Sequence, residues 1–183
     1  MVIEQEDTAI EYRALGPPER IVSYLLEEHH GYLRREMPLL LRLMRRVQRE
    51  ECNLAVHSKM EELIELFKVF RHNQLQHVNQ EEREIFPGLL NGLAGESLER
   101  AVQVISREHQ TFRFVFERFY EMLNVIEKEL MPCKSYRALR ERLTSLAGRA
   151  KEHIWLEEQL LAMLLVAGHD PPYEQAQADS EAA

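Results

Sequence analysis

Cysteine is nearly absent: Cys52 and Cys133 are the two thiols in 183 residues. They are too few for a disulfide framework and fit a reducing compartment, so a cytoplasmic protein is expected. No run approaches the roughly 18 uninterrupted apolar residues of a membrane span. The opening Met-Val-Ile-Glu-Gln-Glu-Asp has neither the charged nor the apolar region of a signal peptide. Positive charge is in deficit, with 23 Lys and Arg against 31 Asp and Glu, a formal net charge of −8. That balance argues against nucleic acid or an anionic membrane as the main partner. Glycine is scarce at seven residues, while Leu, Glu and Arg are abundant, a mixture that favours helix throughout.

What the chain does have is helical periodicity in four blocks. Residues 1–17 are polar, acidic and aperiodic and lead to Gly16-Pro17-Pro18, which predicts an extended or mobile arm over about 1–20 and then a helix start. The first helix carries the stripe Leu26, His30, Leu33, Met37, Leu40, Met44, with Arg34, Arg35, Arg42 and Arg45 on a solvated face. Pro38 inside it predicts a kink. A turn over 49–56 leads to a second helix, from about His57 to Phe86, with the stripe Met60, Ile64, Phe67, Phe70, Gln74, His77, Glu81, Ile85. Pro87 is expected to stop it, and Gly88, Asn91-Gly92 and Gly95 mark a long connection. The third helix, about 96–130, shows Leu98, Val102, Ile105, His109, Phe112, Phe116, Phe119, Leu123 and ends at Met131-Pro132. The fourth, about 133–167, shows Tyr136, Leu139, Leu143, Leu146, Ala150, His153, Glu157, Leu160, Leu164. Gly168 and Pro171-Pro172 end it, and a disordered tail is expected over 169–183. Four long amphipathic helices with short connections predict one domain, 21–168, an all-α up-down-up-down four-helix bundle.

Polar residues interrupt the apolar stripes, and their depth can be checked. Two residues of an antiparallel pair share a level when they lie equally far from the turn between them. The midpoint of His30 and His77 is Asn53-Leu54, that of His77 and His109 is Leu93, and that of His109 and His153 is Met131. Each falls on a break identified without reference to the histidines. One imidazole from each helix therefore sits at one level, with Glu81 and Glu157 one turn from His77 and His153. His57 also has a glutamate at i+4, Glu61, but it precedes His77 by 20 residues, roughly 30 Å along the helix, and reads as a solvated helix start. Four imidazoles and two carboxylates exceed the needs of one structural zinc and, without sulfur, suit iron or manganese. Six ligands for two metals leave room for a bridging oxide or hydroxide and one exogenous ligand. Ferritin-like sites use four glutamates and two Glu-x-x-His motifs, whereas here only Glu27 and His30 have that spacing.

Several segments carry a resemblance. They are His29-His30-Gly-Tyr32-Leu33-Arg34 with Pro38 downstream, His77-x-x-x-Glu81-Glu82 leading to Ile85-Phe86-Pro87, Glu108-His109, Cys133-x-x-Tyr136-Arg137-Ala138, and Glu152-His153-Ile154-x-Leu156-Glu157. In order and separation, over about 21–165, the sequence resembles the hemerythrin-like, HHE cation-binding family, and most of all its branch of di-iron proteins that repair iron–sulfur clusters. The resemblance implies a hemerythrin-like bundle holding two non-haem iron ions, oxo- or hydroxo-bridged. His30, His77, His109 and His153 would be the iron-binding imidazoles, and Glu81 and Glu157 the bridging carboxylates. Hemerythrin proper uses five histidines, so a four-histidine site is more open and favours reaction with O2 or NO over reversible carriage. Repair proteins commonly carry an N-terminal domain with a Cys-Cys motif, where this sequence has an arm without cysteine. They also often have a histidine at the end of the first helix, where this sequence reads Glu50-Glu51.

The neighbours have plainer readings. His29, about 100° around the helix from His30, is expected to be a partly exposed neighbour or a donor behind the site. His72 and His169 are expected in solvent, Phe112, Phe114, Phe116, Phe119 and Tyr120 in the core, Cys133 as an inert helix-start thiol, and Glu108, beside His109 in the sequence, as a proton relay, as an acceptor behind the site, or as a plain surface glutamate. The expected function is binding of O2, NO or iron under nitrosative or oxidative stress, with repair of iron–sulfur client proteins. The alternative is a sensor of those ligands without turnover. A monomer is expected.

Overall fold

The computed structural model describes residues 16–50, 53–129 and 133–167. The expected arm up to residue 15, Cys52, Met131-Pro132 and the expected tail with His169 lie outside the described residues. Helix α1 covers residues 18–50, in which Pro18–Tyr24, a π-helical turn Leu25–His30 and Gly31–Glu50 follow without a break. Helix α2 covers residues 54–90 as Leu54–Gln80, a π-helical turn Glu81–Ile85 and Phe86–Leu90. Helices α3, Gly95–Glu127, and α4, Lys134–Ala167, are continuous. Around the bundle α1 packs against α2 and α4, and α3 closes the ring between them. This is an all-α, up-down-up-down four-helix bundle.

The ends follow from local chemistry. Pro18 occupies a first-turn position where no backbone N–H is needed. Asn53 caps α2, its Oδ1 accepting the Ala55 N–H at 2.9 Å. Between α2 and α3 the chain reverses through Gly92 at φ +88°, a conformation that glycine adopts without strain. The start of α4 is tied to α3 by the Tyr136 hydroxyl, which donates to the Leu123 carbonyl at 2.7 Å. The Cys133 sulfur accepts the Tyr136 N–H at 3.4 Å, which gives that thiol a capping role.

The core consists of two apolar clusters. One, toward the α1–α2 and α3–α4 turns, is built on Met37, Met44, Met60, Phe67, Phe119 and Leu139. The other, at the opposite end, is built on Ile21, Leu25, Phe86, Leu98, Ile105 and Leu160.

Four expectations are corrected. Leu25, fully buried, takes the core position assigned to Leu26, which is half-buried. The cause is the π turn: the Gly31 N–H bonds back five residues to the Leu26 carbonyl, so an extra residue is absorbed and the stripe steps from Leu25 to His30. Pro87 does not stop α2. The Phe86 N–H likewise bonds five residues back, to the Glu81 carbonyl, and the proline enters what is in effect a new first turn. Phe114 is 68% exposed and outside the core, because it lies two residues from Phe112 and so on the opposite side of α3. The expected 49–56 turn is also shorter, with Glu50 and Leu54 already helical. Helix α1 continues through Pro38.

Candidate metal centre

Between the two apolar clusters lies a polar layer. His30, His77, Glu81, His109, His153 and Glu157 are all buried there, with His30, Glu81, His109 and Glu157 showing no exposed surface. Glu81 is central to one side: its Oε2 lies 3.1 Å from His30 Nε2, and its Oε1 lies 2.6 Å from His77 Nε2 and 3.8 Å from His153 Nε2. Glu157 is central to the other, its Oε2 2.9 Å from His109 Nε2 and 3.4 Å from His153 Nε2. Donor atoms of His77, Glu81, His153 and Glu157 all fall within 4.8 Å of one another. His30 and His109 flank that group, one against each carboxylate.

One of these contacts is a hydrogen bond, His109 Nε2 with Glu157 Oε2; most of the rest are proximity without hydrogen-bond geometry. Nε2 of His30, His77 and His153, both oxygens of Glu81 and Oε1 of Glu157 are buried without a hydrogen bond of acceptable geometry. Leaving a buried polar group unpaired costs about 1–3 kcal/mol, more for a charge. A layer of such atoms converging on one volume fits a cation. The donor set, imidazole and carboxylate without sulfur, suits iron or manganese.

Two of the outward ring nitrogens are held from behind, and a third faces a carboxylate without a hydrogen bond. His30 Nδ1 donates to Glu82 Oε1 at 2.9 Å, and Arg34 clamps that carboxylate at 2.6 and 3.0 Å. His77 Nδ1 donates to Glu108 Oε2 at 2.7 Å. His109 Nδ1 faces Glu158 Oε1 at 3.5 Å, and Arg113 holds Glu158 at 2.9 Å. Fixing the proton on Nδ1 leaves the Nε2 lone pair for the interior and orients the ring. Glu82→Gln is expected to weaken metal binding by roughly 10- to 100-fold without unfolding the bundle, as measured by competition with a chelator.

Protonation in this layer follows from burial and neighbours. Burial opposes a charged His77, but the Glu108 hydrogen bond and the Glu81 carboxylate against its other nitrogen push it up to about 10. Burial likewise opposes charge on His153, and Glu157 and Glu81 push it up to about 9. Burial would raise the Glu81 carboxyl, yet His153, His30 and His77 hold it well below the usual carboxylate range. For Glu82, Arg34 and His30 outweigh burial and lower it. His29 is lowered, chiefly by burial and then by His153.

All six residues proposed from sequence come together in one layer. His57 and His72 are exposed, as expected. His29 is not partly exposed: at 3% exposure it sits inside the bundle, its Nδ1 donating to the Arg149 carbonyl at 3.2 Å and its ring 5.7 Å from that of His153. The π turn that absorbs a residue at Leu25–His30 brings both histidines to the inner side. Glu108 is an acceptor behind the site, and the ring it holds is that of His77 on the neighbouring helix. Helical period alone does not mark Glu82, Glu158, Arg34 or Arg113 as contributors, and it puts Arg34 on a solvated face. The doublets Glu81-Glu82 and Glu157-Glu158 held the signal, since the second residue of each turns outward to meet the back of a ring on another helix.

A four-helix bundle with a buried imidazole and carboxylate layer is the architecture of a cation-binding domain. The Hemerythrin HHE cation binding domain family matches residues 22–165, and the chain belongs to that family. Among curated relatives, the iron-sulfur cluster repair protein ScdA of Staphylococcus haemolyticus is 23% identical over 144 residues, 77% of this chain and 64% of that one. The iron-sulfur cluster repair protein YtfE of Pectobacterium atrosepticum is 27% identical over 149 residues, 80% of this chain and 65% of that one. YtfE of Escherichia coli O81 is 21% identical over 153 residues, covering 84% and 68%. The chain thus spans just under two thirds of the length of the first two. Among the described residues, no helix is long and apolar enough to cross a membrane.

Proposed function

We propose that His30, His77, Glu81, His109, His153 and Glu157 hold a pair of non-haem iron ions, and that the protein uses them against nitrosative or oxidative stress, binding O2 or NO and repairing damaged iron–sulfur clusters. The observation that carries the metal assignment is that Nε2 of His30, His77 and His153, both oxygens of Glu81 and Oε1 of Glu157 converge in the interior without hydrogen-bond partners. Glu81 supports a bridging role, since its two oxygens face different histidines. The repair assignment rests on the names of the relatives.

Iron in this layer supplies open coordination positions and one-electron chemistry. The chain does the rest. His30 and His77 present Nε2 because Glu82 and Glu108 hold their Nδ1 protons, Arg34 fixes Glu82, and the two apolar clusters exclude bulk water from both ends.

The test is metal content per chain with the absorption spectrum of aerobically purified protein. The expected result is two irons, with near-ultraviolet bands that disappear in His77→Ala and Glu157→Ala. One zinc, or no metal in a well-folded chain, overturns the assignment. Repair is tested separately, by restoring an iron–sulfur enzyme inactivated with NO. Wild type is expected to restore it and a folded Glu81→Leu variant to fail. Iron-loaded wild type that restores nothing would leave ligand sensing as the function.

A further inference from the structure

The third polar interruption of the α2 stripe, Gln74, has no part in the ligand set. It lies one turn before His77, is 4% exposed, and its amide nitrogen is buried without a hydrogen-bond partner. A buried amide left unpaired is as unfavourable as any other orphaned polar group, so its partner must be sought in the space it faces. That space is a cavity of about 20 Å³ with Gln74 in its wall, beside His77 and His153 and under His29, Tyr32 and Arg149. The volume suffices for a ligand of one or two heavy atoms and for little more.

Of the other polar groups around the cavity, Nε2 of His77 and His153 turn to the metal layer, and Nε2 of His29 is also without a partner but, with the proton on Nδ1, is an acceptor and not a donor. His29 donates from Nδ1 to the Arg149 carbonyl. The Tyr32 hydroxyl pairs with Ser145 Oγ at 3.2 Å, and the Arg149 guanidinium stacks over the Tyr32 ring at 4.7 Å. His77 Nδ1 is committed to Glu108. Among the described residues lining the cavity, Gln74 is left as the donor without an acceptor. We infer that Gln74 is a positioning residue that donates a hydrogen bond to a small exogenous ligand lying in this cavity against the His77–His153 side of the metal layer. It would favour ligands whose outer atom accepts a hydrogen bond. The inference rests on the metal assignment above.

The test uses the full, iron-loaded chain with cyanide as probe, a two-atom anion whose outer nitrogen accepts a hydrogen bond. Dissociation constants and the infrared C–N stretch are measured in H2O and D2O for wild type, Gln74→Leu and Gln74→Met, the last preserving volume without a donor. Wild type is expected to bind roughly 10- to 100-fold more tightly than either variant, the range of a hydrogen bond to a charged group. Its stretch is expected to shift on deuteration, and that of the variants to stay. Variants that load iron fully and bind cyanide like wild type, with the same isotope response, overturn the role of Gln74 and leave the metal site standing. Wild type that takes up no iron overturns both. If neither variant loads iron, the wild-type isotope shift decides: its absence sinks the inference.

Discussion

Stripping the metal is expected to lower the melting temperature by roughly 10 °C. A ligand bound only by the native state, at a free concentration about 1,000 times its dissociation constant, stabilises by about 4 kcal/mol. For a domain of this size each kcal/mol moves the midpoint by about 2–4 °C. Two contributions in this chain push in the same direction. Removing the cation leaves six buried donor residues to satisfy one another, and several of their atoms cannot find hydrogen-bond geometry. Two of the six are carboxylates with no exposed surface. Calorimetry of iron-loaded and chelator-treated protein at one pH checks this, and coincident midpoints would mean that nothing in the layer depends on a cation.

The size of that gap is expected to grow with pH. In the metal-free protein His77 is pushed up to about 10 and His153 up to about 9, so both rings hold protons at neutral pH. A metal can bind only by displacing them, and apparent affinity should rise by roughly 100-fold per pH unit below about 9, then flatten above about 10. Stability of the metal-free form runs the other way. A histidine whose folded value is raised contributes stability that is fully present below its unfolded value of about 6.5 and is lost as pH climbs through the folded value. His77 and His153 therefore stabilise the metal-free bundle near pH 6 and stop doing so by about pH 10. Glu81, held low, contributes above the usual carboxylate range and loses that contribution as pH falls through its depressed value. Zinc or ferrous titrations against a competing chelator at several pH values, with a dye reporting released protons, measure the effect. An affinity independent of pH between 6.5 and 8.5 would show that the rings are neutral before metal arrives.

The buried polar layer is legible in the sequence because it depends on two things a sequence records well. One is the helical period, which put His30, His77, His109 and His153 on apolar stripes. The other is the position of breakers such as Asn53 and Asn91-Gly92 relative to those histidines, which fixes their depth. What escaped was local rewinding of the backbone. Nothing in Leu25-Leu26-Glu27-Glu28-His29-His30 announces a hydrogen bond five residues back, so a uniform period put Leu26 in the core and left His29 half outside. Pro87 looks like a helix stop for the same reason: after a π turn a proline meets a first-turn environment, where the N–H it lacks is not required. The outer carboxylates escaped because they act across helices, Glu82 toward His30 and Glu108 toward His77, and pairings between helices have no period to betray them. Gln74 was visible as a polar residue on a buried stripe, although only the cavity beside it shows what it faces.

The two apolar clusters on either side of the polar layer bear on how the molecule holds together as one cooperative unit. A four-helix bundle ordinarily transmits stability along its axis through uninterrupted contacts between hydrophobic side chains. Here that column is severed in the middle, and both π turns fall at the cut, so each end has its own core and its own winding. The layer is therefore a seam: what fills it sets whether the Phe67–Phe119 end and the Leu25–Phe86 end open together or apart. A bound cation would be the rivet that makes one folding unit of two.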